Sequence, residues 1–243
     1  MKRIVILSGA GLSAESGLGT FRDVDGLWTR YNLEDVATPG GFARDPTLVH
    51  DFYNARRANM AAGRPNAAHE ALTRLSKHGD VMLVTQNIDD LLERAGATDV
   101  IHMHGELARA LCHACGARWD APPVMSADAP CPVCNAAATR PDVVWFGEMP
   151  YHMDRIEAAL ARADLFVSIG TSGTVYPASD FVDLARMAGA GTLELNLAAS
   201  GGRFDAVREG AATDVVVEWV AEVLDEPDLR RFRHQSTRRS HVW

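Results

Sequence analysis

The stretch that decides the fold is Ile4-Val5-Ile6-Leu7-Ser8-Gly9-Ala10-Gly11-Leu12-Ser13-Ala14. Its unbroken apolar run predicts a strand that is buried on both faces, which is typical of a parallel sheet. Gly9, Gly11 and Ala14 then fit the G-x-G-x-x-G/A pattern, in which small residues let the backbone approach a pyrophosphate. This pattern alone leaves two interpretations open, a nucleotide site or a plain junction between a strand and a helix. The acidic residue that dehydrogenases carry about 20 residues further on has no clear counterpart here.

The length and composition are those of an ordinary globular chain. Its 243 residues, 47% hydrophobic and 23% charged, suffice for one large domain or one domain with an insertion. A net charge of −8 argues against a general nucleic-acid binder. Because the sequence has neither a long apolar run nor a signal-peptide pattern, we expect a cytoplasmic protein without a membrane span.

Further apolar runs predict buried strands that each end in small or polar residues. The run over 81–85 is followed by a polar cluster that begins at Gln86, and the run over 165–169 is followed by Gly170-Thr171-Ser172. In an open parallel α/β sheet, residues just beyond the carboxyl ends of the strands line the ligand crevice. The pattern therefore predicts a doubly wound, Rossmann-like α/β fold with a ligand across its strand ends.

Two histidines belong to a short strand that is predicted over 100–105. Period-2 alternation places His102 and His104 on one side of this strand, with His104 nearer to the loop and the crevice. A lone histidine is more often structural than functional. The last strand of the sheet is predicted over 214–217, before a helix over 218–224.

A helix is predicted to begin at Pro46, with Asp45 as its cap. It carries Tyr53 and Arg56, which are three residues apart and therefore share a face. The residues alone leave two interpretations open. One is a packed aromatic ring beside a solvated arginine, and the other is a phenol and a guanidinium that converge on a ligand carboxylate.

The four cysteines form the most specific spacing in the chain. Cys112, Cys115, Cys131 and Cys134 follow the pattern C-x2-C-x15-C-x2-C, which is typical of a four-thiolate zinc site. Sulfur would fill all four positions and leave no place for water, so we expect a structural rather than a catalytic zinc. The alternative is two buried pairs of free cysteines.

Taken in order, these motifs resemble those of the sirtuins, the NAD-dependent protein deacylases, and most closely the bacterial CobB-like members related to the desuccinylase class. The resemblance runs from Ile4 to about Glu222. The motifs that carry it are residues 9–17, Thr20-Phe21-Arg22, Gln86-Asn87-Ile88-Asp89, His104-Gly105, the two cysteine pairs, Phe146-Gly147-Glu148, Gly170-Thr171-Ser172 and Leu195-Asn196.

The resemblance implies a set of site residues. NAD would contact Gly9, Ala10, Gly11, Ala14, Glu15, Phe21, Arg22, Gln86, Asn87, Ile88, Asp89, Gly170, Thr171, Ser172, Asn196, Leu197, Ala198 and Ala212. His104 and Asn87 would be catalytic, with His104 as the base for a ribose hydroxyl. The substrate would meet Tyr53 and Arg56 as a clamp for an acidic acyl chain, Ala37 as a small residue that leaves room, and the edge formed by Val144, Phe146 and Gly147.

The resemblance also implies the reaction and its partners. An acetyl or succinyl group would pass from a modified lysine to ADP-ribose, giving nicotinamide, free lysine and O-acyl-ADP-ribose. The expected partners are NAD, one structural zinc ion and acylated-lysine proteins or peptides, with no specific nucleic acid and no membrane, and the chain is expected to be a monomer. A mono-ADP-ribosyltransferase on the same scaffold is the alternative. A hydride-transfer dehydrogenase lacks its ribose acid here, and a zinc-ribbon interaction module leaves the polar strand ends unexplained.

The predicted architecture is therefore a Rossmann-like sheet with a smaller inserted lobe. The predicted segments are 1–26, 72–108 and 140–225 for the NAD-binding domain, 27–71 for the helical part of the small lobe, 109–139 for its zinc-binding part, and 226–243 for a basic tail.

Overall fold

The computed structural model describes residues 2–19 and 31–225. Phe21, Arg22 and the basic tail over 226–243 lie outside the described residues. The described strands are β1 (Ile4–Ser8), β2 (Val81–Thr85), β3 (Val100–His102), β4 (Gly105–Cys112), β5 (Arg118–Asp120), β6 (Thr139–Val143), β7 (Leu165–Ile169), β8 (Gly191–Asn196) and β9 (Ala206–Glu209). The described α-helices are α1 (Leu33–Val36), α2 (Pro39–Arg44), α3 (Pro46–Ala62), α4 (Ala67–Ser76), α5 (Leu91–Arg94), α6 (Met153–Leu160), α7 (Phe181–Met187) and α8 (Ala212–Asp225).

A parallel sheet with the order β3-β2-β1-β7-β8-β9 forms the larger part of the described chain. The order runs one way from β1 to β3 and the other way from β7 to β9. The carboxyl ends of β1 and β7 therefore form the switch point at which ligands bind in open α/β sheets. The predicted doubly wound fold is confirmed.

Both faces of β1 are covered by helices. Ile4 and Ile6 belong to an apolar cluster with residues of α4 and α8, whereas Val5 and Leu7 belong to a second cluster with residues of α6 and α7. In a strand that is buried on both faces, the side chains on both faces are apolar, so polar and apolar residues do not alternate along it. This double coverage explains the unbroken apolar run at the start of the chain.

The predicted last strand over 214–217 is wrong, because these residues lie in helix α8. Val215, Val216, Trp219 and Val220 are buried there, and their spacing is that of one helix face packed against the sheet. Three consecutive valines favour a strand locally, but packing against α4 and the sheet outweighs that preference. The last described strand is β9, which pairs with β8 at the sheet edge and is mostly exposed.

The turn after β1 also differs from the expected start of a helix. Within residues 2–19, two short 3₁₀ turns at Ala10–Leu12 and Ala14–Ser16 follow the glycines. Gly17 ends the second turn with a φ of 81°, a left-handed conformation that favours glycine. The backbone N–H groups at this strand end thus come from tight turns and not from an α-helix.

Each of the helices α1 to α4 has a side-chain cap at its start. Asp45 Oδ1 accepts a hydrogen bond from the Leu48 N–H at the start of α3, as predicted (2.9 Å). At the start of α4, the Asn66 side chain accepts from the N–H of His69, while the His69 ring accepts from the N–H of Asn66. None of the helices over 2–19 and 31–225 combines the length and apolarity that a bilayer span requires.

A second, antiparallel sheet has the order β5-β4-β6. Val36 and Phe52, on α1 and α3, share an apolar cluster with Leu107 on β4 and Val143 on β6. The helical segment and the small sheet therefore pack on each other. Strand β4 crosses the boundary predicted at 108/109, and β6 crosses the one at 139/140, so the division into domains stays a prediction.

Candidate active site

Three glycines bring the ends of β1 and β7 into direct backbone contact. A Cβ on Gly11 would lie 2.7 Å from the Cα of Gly170, and a Cβ on Gly9 would lie 2.9 Å from the Gly170 carbonyl oxygen. Gly170 itself has a φ of 60°, a left-handed conformation that residues with a side chain rarely adopt. The close backbone approach that the glycine pattern predicts is therefore made, at least in part, to a second loop of the same chain.

Side-chain amides join three neighbouring strand ends. Asn87, just beyond β2, donates through Nδ2 to the Gly9 carbonyl and to Ser13 Oγ, both at 3.1 Å. Gln86 donates through Nε2 to Thr171 Oγ1 beyond β7 (3.0 Å). The polar residues predicted to face the crevice are thus brought together at the switch point.

The end of β8 is held by a buried carboxylate that the sequence analysis missed. Glu194 is 1% exposed and accepts hydrogen bonds from Asn196 Nδ2 (3.1 Å) and from the Ser200 N–H (3.0 Å). Asn196 also donates to the Thr171 carbonyl (2.8 Å). Leu197 is 78% exposed and lies on the outer rim of this strand end, next to the exposed Ala198.

Ser13 links the glycine turn to Asp89. Its hydroxyl donates to Asp89 Oδ2 (3.0 Å), and His69 Nε2 lies 3.4 Å from Ser13 Oγ. His69 Nδ1 contacts both the Asn66 N–H (3.2 Å) and Asn66 Oδ1 (2.9 Å). Because the Ser13 hydroxyl donates its hydrogen to Asp89, His69 does not accept it in this arrangement, and these groups do not form a nucleophilic triad. Burial raises the pKa of Asp89, while hydrogen bonds from the Leu91 N–H and from Ser13 oppose this effect.

His104 lies two residues beyond the end of β3, beside the loop that carries Asn87. Its Nδ1 is 3.1 Å from the Gln86 carbonyl oxygen, which can only accept a hydrogen bond. The hydrogen is therefore on Nδ1, and Nε2 carries the lone pair. Burial lowers the pKa of His104, and the bond to Gln86 opposes this only in part. The ring is thus neutral at neutral pH and can accept a proton at Nε2.

Other predicted cofactor residues occupy distinct positions around these strand ends. The Glu15 carboxylate accepts from the N–H (3.0 Å) and the hydroxyl (2.7 Å) of Thr213 and so caps α8, next to Ala212. Ala14 is exposed, whereas Ile88 is buried in the apolar cluster of the helical segment. Ala10, Thr171 and Ser172 are among the half-buried members of the predicted set at this edge.

Tyr53 and Arg56 lie together on α3, as their spacing predicts. Tyr53 is 1% exposed, and its hydroxyl accepts a hydrogen bond from Trp145 Nε1 (2.9 Å). The Arg56 guanidinium stacks 5.8 Å from the Tyr53 ring centroid and 5.7 Å from that of Phe52. Burial raises the pKa of Tyr53. Ala37 is buried in the same apolar cluster as Tyr53 and Trp145.

The segment that follows β6 connects His104 with the helical part of the chain. The Val144 N–H donates to the His104 carbonyl, and the Phe146 N–H donates to the Ala37 carbonyl, both at 2.9 Å. Phe146 is 52% exposed, and Gly147 is exposed with a φ of 90°. The three residues predicted to meet the peptide therefore form one edge beside His104.

Glu148 holds the turn of the Phe-Gly-Glu motif through hydrogen bonds. The sequence analysis did not predict this role. It accepts two hydrogen bonds from Arg140 (2.6 and 2.9 Å) and one from the Trp145 N–H (2.9 Å). The Arg140 guanidinium also lies 3.5 Å from the Trp145 ring centroid. Burial alone would raise the pKa of Glu148, but Arg140 outweighs it and lowers the pKa. This arrangement fixes the turn that presents Phe146.

The four predicted zinc ligands converge. Cys112 Sγ lies 3.7 Å from Cys134 Sγ, Cys115 Sγ lies 3.8 Å from Cys131 Sγ, and all four sulfurs lie within 4.8 Å of one another. These distances are too long for disulfides, whose S–S bonds are about 2.05 Å. A tetrahedron of sulfurs around zinc, with Zn–S bonds of about 2.3 Å, has edges of roughly 3.8 Å. The four cysteines therefore fit a structural zinc ion.

The geometry defines an α/β protein with a polar crevice at the switch point of its sheet and a separate four-cysteine zinc module. The Sir2 family matches residues 9–177. The chain is 56% identical over 230 residues to the NAD-dependent protein deacylase of Caulobacter vibrioides, covering 91% of this chain and 97% of that protein. It is 52% identical over 229 residues to the NAD-dependent protein deacylase of Escherichia coli K12, covering 91% of this chain and 82% of that protein.

Solved structures agree with this match. A Sir2 homologue in complex with NAD superimposes with a TM-score of 0.85 at 38% identity, covering 92% of this chain and 90% of that one. A Sir2 variant with a deacetylated p53 peptide and 3'-O-acetyl ADP-ribose has a TM-score of 0.77 at 26% identity, covering 93% of each chain. The chain belongs to the Sir2 family, and the family predicted from the sequence motifs is confirmed.

Proposed function

We propose that the protein is an NAD-dependent protein-lysine deacylase that removes acetyl and succinyl groups and gives nicotinamide, free lysine and O-acyl-ADP-ribose. The observation that carries the proposal is the position of His104, between the linked strand ends and the Val144 edge. The names of the relatives support the activity. The Sir2 structures with NAD and with a peptide support the kind of co-substrate and substrate.

The switch point offers the groups that NAD needs. In this proposal the pyrophosphate lies at the switch point, beside the turn at Gly9 and the loop that begins at Gly170. Asn87 and Asp89 provide polar atoms for the nicotinamide side, while Asn196 does so for the adenosine side. When bound, NAD supplies a ribose carbon whose bond to nicotinamide breaks readily, because nicotinamide leaves as a neutral molecule.

In this proposal His104 is the general base. Its Nδ1–H is held by the Gln86 carbonyl, so that Nε2 faces the reaction as the proton acceptor. Because burial lowers its pKa, the ring is neutral and needs no prior loss of a proton at neutral pH. Asn87, held by Gly9 and Ser13, orients the ribose beside it.

The proposed acyl pocket lies between α3 and the edge after β6. Arg56 carries the positive charge for an acidic acyl chain, Tyr53 lends its hydroxyl, and Ala37 leaves room beside them. The peptide adds as a strand along Val144, Phe146 and Gly147. Zinc takes no part in the reaction, since four thiolates leave no open position on it. A cytoplasmic location and a monomeric state stay predictions from the sequence.

One assay tests the proposal. The protein and NAD are incubated with a peptide carrying acetyl-lysine or succinyl-lysine, and the peptide mass and nicotinamide release are both followed. We expect matched amounts of deacylated peptide and nicotinamide, and a fall of about 10²-fold or more in the rate for His104→Ala. His78→Ala, a change at an exposed histidine, is the control that retains activity. Release of nicotinamide with both peptides unchanged would instead support an ADP-ribosyltransferase or a glycohydrolase.

A further inference from the structure

A second histidine, His102, lies beneath the loop that carries Asn87. Its ring is 8% exposed. Nδ1 lies 3.2 Å from the Asn87 carbonyl oxygen, and Nε2 lies 2.9 Å from Glu93 Oε1. Carbonyl and carboxylate oxygens only accept hydrogen bonds, so both contacts form only when both ring nitrogens carry hydrogen. A ring with two N–H groups is an imidazolium, and the geometry thus assigns a positive charge to His102.

Three carboxylates of the described residues lie around His102 and favour this charge. Glu93 approaches from α5, Glu106 from β4, and Asp89 from the loop after β2. Burial by itself lowers the pKa of His102, but the hydrogen bond and the negative charge of Glu93 outweigh it, with Glu106 adding to the effect. The pKa of His102 is therefore raised above its ordinary value of 6.5.

Asn87 is consequently held from two sides. Its side chain binds Gly9 and Ser13, and its carbonyl binds His102. The preceding carbonyl, that of Gln86, is bound by His104 in turn. Two histidines therefore hold consecutive peptide units of one loop. This loop carries groups that are assigned to the nicotinamide side of the crevice.

We propose that His102 is a positioning residue that, as a cation shared between Glu93 and Asn87, fixes the loop over 86–89 and makes deacylation fall at alkaline pH. The inference rests on the proposed deacylase function. When His102 loses a proton, one of its two nitrogens presents a lone pair to an acceptor, and one contact is lost. His104 acts as a base only when neutral, so its titration limits activity at acid pH. The pH profile is then bell-shaped: His104 causes the loss of activity at acid pH, and His102 causes the loss at alkaline pH.

Two variants separate this role from a purely structural one. Glu93→Gln keeps the size and an acceptor oxygen but removes the charge, and Glu93 is partly exposed, so this variant is expected to fold. In Glu93→Gln, the decrease of kcat/KM for NAD at alkaline pH should occur about one pH unit lower than in the wild type. His102→Gln has no titrating group, so its profile should lose the alkaline limb and have a lower plateau. The acid limb should stay in place in both.

The controls change the same residue types away from the site. Glu157→Gln and His78→Gln are exposed substitutions that should retain both limbs. If activity decreased at the same alkaline pH as in the wild type in both Glu93→Gln and His102→Gln, the inference would be overturned. An equal loss of activity at every pH in Glu93→Gln would also overturn it. A direct NMR titration of His102 is independent of activity. A pKa at or below 6.5 contradicts the inference, whereas an inactive wild type contradicts only the proposed function.

Discussion

Residues 102 and 104 have opposite electrostatic environments although they are separated by one position. His104 is half-buried, and its hydrogen-bond partner among the described residues is a backbone carbonyl, so burial lowers its pKa and the ring is neutral. His102 meets a carboxylate, which outweighs the effect of burial and raises its pKa. Such a pair, shifted in opposite directions, is typical of sites where one group must accept a proton and the other must keep one.

The residue that should decide acyl preference is Arg56. Replacing it with methionine in Arg56→Met removes the positive charge and leaves a side chain of similar length. A hydrogen bond to a charged group contributes about 1.5–3 kcal/mol, so we expect the kcat/KM ratio of succinyl to acetyl peptide to fall roughly 10- to 100-fold. Steady-state kinetics with two peptides of identical sequence measure this ratio.

The control for this ratio is Arg74→Met, which changes an exposed arginine on α4. It should leave the preference for succinyl peptide unchanged. Equal losses of both activities in Arg56→Met would sink the clamp, because a residue that only packs against Tyr53 and Phe52 would affect the two peptides alike.

At the scale of elements, helix α4 joins the sheet to the crevice through its first turn. His69 completes the capping box of this helix, and its Nε2 lies 3.4 Å from Ser13 Oγ in the glycine turn. The ring is fully buried, and burial lowers its pKa from 6.5 to about 4. Below pH 6.5 the unfolded chain therefore binds a proton that the folded state excludes.

His69 should consequently make the protein acid-labile. Its contribution to the free energy of unfolding is constant above the unfolded pKa of 6.5 and decreases as pH falls towards 4. At about 1.4 kcal/mol for each pKa unit, the loss is about 3 kcal/mol. Urea unfolding at several pH values between 7 and 4 measures it.

The matched variants are His69→Gln and His78→Gln. The difference in unfolding free energy between wild type and His69→Gln should shrink as the pH falls, since glutamine does not titrate. His78 is exposed, and its variant should keep the slope of the wild type. A wild-type slope that His69→Gln leaves intact would show that other groups cause the acid lability.

At the scale of the whole molecule, the zinc module connects to both sides of the site. Strand β4 begins one residue after His104 and ends at Cys112, whereas β6 begins at Thr139 and ends just before Val144. The two strands pair with each other along this path. Disorder at the cysteines should therefore reach the peptide edge before it reaches the parallel sheet.

Removal of zinc tests this connection. Cys131→Ser should lower the zinc content from one ion for each chain, and kcat/KM for the acylated peptide should fall roughly 100-fold, because metal binding is coupled to folding of the module. Thermal stabilisation by ADP-ribose should persist, since its proposed site lies on the parallel sheet. Zinc analysis, peptide kinetics and thermal shifts measure the three quantities.

Val133→Ser is the matched control, because Val133 is an exposed residue between two ligands and offers no sulfur. It should keep both zinc and activity. If Cys131→Ser lost zinc but kept the wild-type KM and kcat for the peptide, the connection through β4 and β6 would be refuted.

Much of this architecture could be predicted from particular residues. The apolar run at 4–7, the polar strand ends at Gln86 and Gly170, and the spacing of the cysteines are local patterns with direct physical causes. The helix at 214–217 could not be predicted in this way. Its valines favour a strand locally, and only the sheet face against which they pack makes them helical.

The sequence by itself determined the buried strands at 4–7, 81–85 and 165–169, the order of the motifs and the ligand types of the metal site, because these depend on residue type and spacing along the chain. Only the tertiary structure decided which side chains meet: Glu93 with His102, Glu194 with Asn196, and Glu148 with Arg140. Each contact joins groups whose partner is set by packing and not by spacing. Hydrogen-bond partners and pKa shifts follow from burial and short distances, and these exist only once the chain has folded.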